Sequence, residues 1–207
     1  RLFHPADLSH ARQVAFVHAL KLALVLRAEL TIMHVDPDVS PEGFEDFPRI
    51  RPTLAQWGLL PESSSKSDVT TLGIRIRKVR ALAADAKQAI MHHLTATPTD
   101  LMVLATHKHE GFAGWIHHAV AEPVSREMHV TTLFVPSNVA GFVSRTTGET
   151  SLHRVLLPIS SHPPSQPAID AATVLVSQLS KPPVTMTLIH AGAEADVVIR
   201  VGWGVVQ

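Results

Sequence analysis

Four of the chain's 14 histidines fall between residues 107 and 118, at His107, His109, His117 and His118. A neutral imidazole binds divalent metals and a protonated one carries charge, so an H-x-H pair with two further histidines offers the donors of a zinc site or an acid-sensing loop. Adjacent His117 and His118 point to different sides of any helix, however, and surface imidazoles explain them without a metal. No metal ligand is therefore assigned. Arg75, Arg77, Lys78 and Arg80 are close enough in sequence to hold an anion, but the alternation of Ile74 and Ile76 with Arg75 and Arg77 reads as a solvated edge strand protected by charge. Ser160-Ser161-His162 has the residue types of a nucleophile and its base with no acid partner, and neither a P-loop, an HExxH helix nor a nucleophile elbow occurs. No catalytic residue is assigned.

Composition narrows the classes further. Eighteen Lys and Arg balance 18 Asp and Glu, which disfavours nucleic acid as a partner. The absence of cysteine excludes disulfides, thiol nucleophiles and thiolate zinc sites. The longest apolar run, Leu22–Leu26, is far short of the roughly 20 residues that span a bilayer, so no membrane association and a cytoplasmic location are expected. Because Arg1 opens the sequence without methionine, a few starting residues are expected to be missing.

The elements that would position these side chains occur twice. Arg1–Asp7 matches Arg154–Ser160 at an offset of 153, and Leu30–Val35 matches Met186–Ala191 at an offset of 156, with an alanine-rich apolar helix between the strands in each copy. In the first copy, Leu2–Pro5 reads as a buried strand and Ser9 as the cap of a helix from about His10 to Ala28. Leu30–Val35 reads as a strand covered on both faces. An insertion, 36–68, places Phe47, Ile50, Leu54 and Trp57 on one face of a core-covering helix, with Asp46 as cap, Pro48 in the first turn and Gly58 as terminator. Ser63–Ser67 reads as a flexible loop. Gly73–Val79 is the edge strand, Asp85–Leu94 a helix, Leu101–Thr106 a buried strand, Val120–Met128 a helix and Thr131–Val135 the last strand. This is a doubly wound α/β domain over 1–138, followed by a Ser/Thr/Gly-rich linker at 139–152. Over 153–207 stands the first part of a second copy, which is expected to stop early.

Pro5-Ala6-Asp7-Leu8-Ser9, Ala28–Val35, Thr99–His107, Val120–Val124 and Thr131–Pro136 together resemble, in order, the motifs of the universal stress protein family. The resemblance covers nearly all of 1–138 outside the insertion, and the opening of a second such domain from 154, as in tandem members. It implies a parallel five-stranded sheet of order 3-2-1-4-5, helices on both faces, and a ligand cleft at the carboxyl ends of the first and fourth strands. Ala6 would line the cleft beside Asp7, which would stand at the ribose and metal side, with Val35 where adenine is read. Ala105, His107 and Lys108 would follow the fourth strand, with His118 and Ala119 at the start of the next helix. ATP-binding members carry G-x2-G-x9-G-[ST] there, and this chain has Ala105, Lys108, His118 and Ala119 instead. His107 stands at a position often histidine in the family, and Ser160 replaces the aspartate in the second copy. His34 and His190 lie at equivalent strand ends and read as structural.

The expected function is a non-catalytic stress-response or regulatory binding module with a degenerate ATP-binding loop. One alternative is an adenine-nucleotide-binding member with slow ATPase activity through Asp7. The other is a metal or pH sensor built on the histidine loop. No cofactor is expected, with ATP the alternative ligand. Partners are an adenine nucleotide or another small molecule, and a second domain or second chain paired through the last strand.

Overall fold

The computed structural model describes residues 1–6, 8, 13–37, 44–106, 123–160, 162–180 and 184–190. Two compact units divide the chain, 1–149 and 150–207.

In the first unit, β1 (Leu2–Pro5), α1 (Gln13–Leu26), β2 (Glu29–Asp36), α2 (Ile50–Gln56), α3 (Lys66–Thr71), β3 (Arg75–Leu82), α4 (Ala86–Ala96), β4 (Leu101–Thr106), the helical residues 123–128 (α5) and β5 (Thr131–Pro136) follow in order. The five strands are parallel in the order β3-β2-β1-β4-β5, the order expected from the sequence. Each crossover is long enough to carry a helix, as parallel neighbours require. One face of the sheet presents Phe3, Met33, Met102 and Leu104, which pack with Ile90 and Leu94 of α4 and Val124 of α5. α1 is apolar nearly all round and packs against β1, β2, β4 and β5, the pattern of a helix buried on most of its circumference. Its first residues as expected, 9–12, lie outside the described residues.

The insertion departs from expectation in two places. Phe47, Ile50, Leu54 and Trp57 are all buried, but the helix begins at Ile50 after Arg49, which makes no side-chain cap bond. Asp46 is therefore not the cap, and Pro48 precedes the helix. Pro52 rules out the earlier start: it has no amide proton and is tolerated only in a first turn, and a cap at Asp46 would place it beyond that turn. The Ser63–Ser67 segment is also more ordered than a flexible loop. Ser65 and Asp68 form a reciprocal capping box that opens α3, with the Ser65 amide donating to Asp68 Oδ2 at 2.7 Å.

Residues 142–149, expected within the linker, pack on the first unit, with Val143 buried and the Trp57 Nε1–H donating to the Arg145 carbonyl at 3.1 Å.

The second unit contains β6 (Arg154–Ile159), α6 (Gln166–Leu179) and β7 (Thr185–His190), with β6 and β7 parallel. Among the described residues no helix is long and apolar enough to cross a membrane.

Candidate functional site

The carboxyl edge of the first sheet is shaped by a proline. β1 pairs with β2 over all four of its residues, through Pro5↔Met33, but with β4 only at Leu2↔Leu101 and Phe3↔Met102. Pro5 has no amide proton to offer the neighbouring strand. The Val103 carbonyl is met instead by His4 Nδ1–H at 2.9 Å. Beyond Phe3 the main chains of β1 and β4 are no longer laddered. This is the place where strand order reverses, and doubly wound sheets open a crevice at such a point. Burial pushes the His4 pKa down to about 4, opposed by its bond to Val103, so this ring is a neutral strut at ordinary pH.

Ala6 closes β1 by donating its amide to the Met33 carbonyl at 2.7 Å. Its own carbonyl accepts from His34 Nδ1–H at 2.8 Å, and His34 Nε2 lies 3.1 Å from Asp36 Oδ1. Arg80 Nε forms an ion pair with Asp36 Oδ2, 2.7 Å apart. His34, Asp36 and Arg80 thus tie the carboxyl ends of β1, β2 and β3 together, flanking Val35. Phe47 from the insertion stands edge-on to the His34 ring at 6.4 Å, and Lys78 lies 5.5 Å over the Phe47 ring.

The sheet therefore brings Ala6, Val35 and Ala105 to the ends of three adjacent strands. Asp7, His107, Lys108, His118 and Ala119 lie outside the described residues, as do His109 and His117. Among the described residues no group of three His, Cys, Asp or Glu is placed to hold a metal ion.

The basic edge is corrected by the structure. Arg75 and Arg77 are exposed as an edge strand requires, but Lys78 and Arg80 are partly buried, and Arg80 is held by Asp36. Alternation along β3 puts 78 and 80 on the opposite face from 75 and 77. No spacing or motif in the sequence marks His4 or Asp36 as part of the site. Pro5, directly after a histidine at a strand end, is the nearest thing to a signal for His4. Asp36 could have been paired with Arg80 only through the β2–β3 register, His34↔Arg80.

Known proteins give the broader placement. Among solved structures, the chain is similar to one titled as a universal stress protein in complex with cAMP, 18% identical, covering 65% of this chain and 96% of that one with a TM-score of 0.42. Among curated proteins no match is found. The family model described as "Universal stress protein family" matches residues 1–136. With that match spanning all five strands of the first sheet, the chain belongs to the universal stress protein family.

Proposed function

We propose that the first unit is a non-catalytic stress-response or regulatory binding module whose ligand enters at the carboxyl ends of β1, β2 and β4. It keeps the adenosine-facing positions Ala6, Asp7 and Val35 and has lost the phosphate-holding ones. The observation that carries this reading is the replacement of all four loop positions, by Ala105, Lys108, His118 and Ala119. Glycines let backbone amides converge on phosphate, and a Ser or Thr at the helix start adds a hydroxyl. Lysine and histidine carry long side chains where glycine carries none, and alanine has no hydroxyl. The gap in the β1–β4 ladder beyond Phe3 supports a crevice at this point. No role as a base is assigned to His107, and neither a catalytic residue nor a metal is required. The ligand is an adenine nucleoside or another small molecule, met in the cytoplasm.

The second unit is proposed as the opening of a second module of the same kind, with 1–138 as the first and the pairing of last strands made within the chain or with a second copy. Two observations support the repeat. Pro158 pairs with Ile189 as Pro5 pairs with Met33, and His190 Nδ1–H donates to the Ile159 carbonyl at 3.0 Å as His34 does to Ala6.

Calorimetric titration with ATP and magnesium tests the reading. No micromolar binding is expected. Micromolar binding, or adenine nucleotide released on denaturing the purified chain, would instead establish the nucleotide-binding, slowly hydrolysing alternative.

A further inference from the structure

The segment after β5 is held to α1 by one buried ring. His18 lies fully inside the first unit, its Nδ1–H donating to the Val14 carbonyl at 2.7 Å. That bond leaves Nε2 as the acceptor, and it receives two main-chain amides, Phe142 N–H at 3.0 Å and Val143 N–H at 3.2 Å. The Phe142 ring stands edge-on to the imidazole with centroids 4.4 Å apart. Gly141 has φ +70 and passes so close that a Cβ there would overlap the His18 ring. Past this point the segment is held more lightly, by Trp57 to the Arg145 carbonyl, by Arg145 to Gln13 at 2.9 Å, and by Gly148 against the indole.

We infer that residues 141–149 form a strap on α1 that closes only while His18 is neutral and is released when its Nε2 takes a proton. Protonation turns the acceptor into a third N–H donor facing two others, which removes both amide bonds and replaces them with repulsion. Only the segment can yield, because α1 is packed against four strands. The charged groups on the packed elements are Lys21 on α1, which attracts Glu149 of the strap, and Arg145, which is spent on Gln13. From the sheet, His4 turns toward Phe16, with ring centroids 6.5 Å apart. Burial lowers the His18 pKa against the raising effect of its Val14 bond, with no charged group contributing.

Burial holds the closed-state pKa of His18 below the ordinary 6.5, and opening the strap returns the ring toward water and relieves that shift. Closure is therefore complete above pH 6.5 and weakens as pH falls below it, the opening constant rising up to about tenfold per pH unit. Amide hydrogen exchange read by NMR between pH 7.5 and 5, corrected for intrinsic exchange, tests this on the intact chain. The expected result is that protection of Phe142 and Val143 falls below pH 6.5 from a level well under that of the β1 and β2 amides, whose own fall follows global stability through His4. Flat protection at both residues, or protection equal to that of the β1 amides at every pH, would overturn the inference. His18→Gln supplies an acceptor that does not titrate and should make the strap's protection independent of pH. If that variant fails to fold, the wild-type profile decides alone.

Discussion

β1-α1-β2 and β6-α6-β7 have the same order, the same strand register and the same histidine-to-carbonyl bond, yet they bury their surfaces very differently. Phe3 and Met33 are 0% and 3% exposed, whereas Leu156 and Ile189, which stand at the corresponding positions on β6 and β7, are 62% and 52% exposed. The difference is not in local sequence, since all four are large and apolar. In the first unit that face of the sheet is covered by Ile90, Leu94 and Val124, which arrive from α4 and α5. The helices repeat the contrast: α1 buries nine residues and α6 only Ile169 and Leu179. Strand pairing and its terminal hydrogen bond thus form from the βαβ arm alone, while core burial depends on elements supplied much later in the chain.

The largest expected effect separates the arms directly. Phe3→Ala should cost about 3–5 kcal/mol through lost burial and a residual cavity. The corresponding Leu156→Ala should change stability by less than about 0.5 kcal/mol, as exposed positions do. Urea unfolding of both variants checks this, and comparable losses would break the comparison.

Acid sensitivity should likewise belong to the first arm. His4 is held at about pKa 4 against an ordinary 6.5, so the unfolded chain takes up the proton first. Stability is then complete above pH 6.5 and declines toward pH 4, by about 3 kcal/mol at roughly 1.4 kcal/mol per unit. The corresponding residue of the second arm is Leu157, which does not titrate. His4→Leu should flatten this part of the pH dependence, while leaving the Val103 carbonyl unmet at a cost of about 1–3 kcal/mol at neutral pH. Urea midpoints at pH 7 and pH 4.5 measure both effects.

A smaller contrast concerns the paired histidines. His34 joins the Ala6 carbonyl to Asp36, and His34→Ala should cost about 1–3 kcal/mol, whereas His190→Ala loses the single bond to Ile159, about 1 kcal/mol. Equal losses would indicate that Asp36 adds nothing to the first arm.

Much of this was legible beforehand because its signals are local. β4 runs from Leu101 to Thr106 as its unbroken apolar composition predicts, and the recurring proline and histidine at strand ends mark the two arms. What escaped reading depended on competing local rules or on distance. Pro52 overrode the apolar spacing that placed the α2 start too early, and the Ser65–Asp68 box hid within a serine run. His4 has its partner 99 residues away, and His18 meets its amide partners 124 and 125 residues away. No spacing rule reaches that far. At the candidate site, the strand ends could be named in advance, but the clasp of His34, Asp36 and Arg80 required the β2–β3 register.

We propose that the cleft has lost its grip on phosphate through Ala105, Lys108, His118 and Ala119. Paired calorimetric titration of ATP–Mg into the wild-type chain and into a variant carrying Ala105→Gly, Lys108→Gly, His118→Gly and Ala119→Ser tests it most directly. The predicted result is no micromolar binding by the wild type and its appearance in the variant. Micromolar ATP binding by the wild type, left unchanged or weakened by the four substitutions, would contradict it.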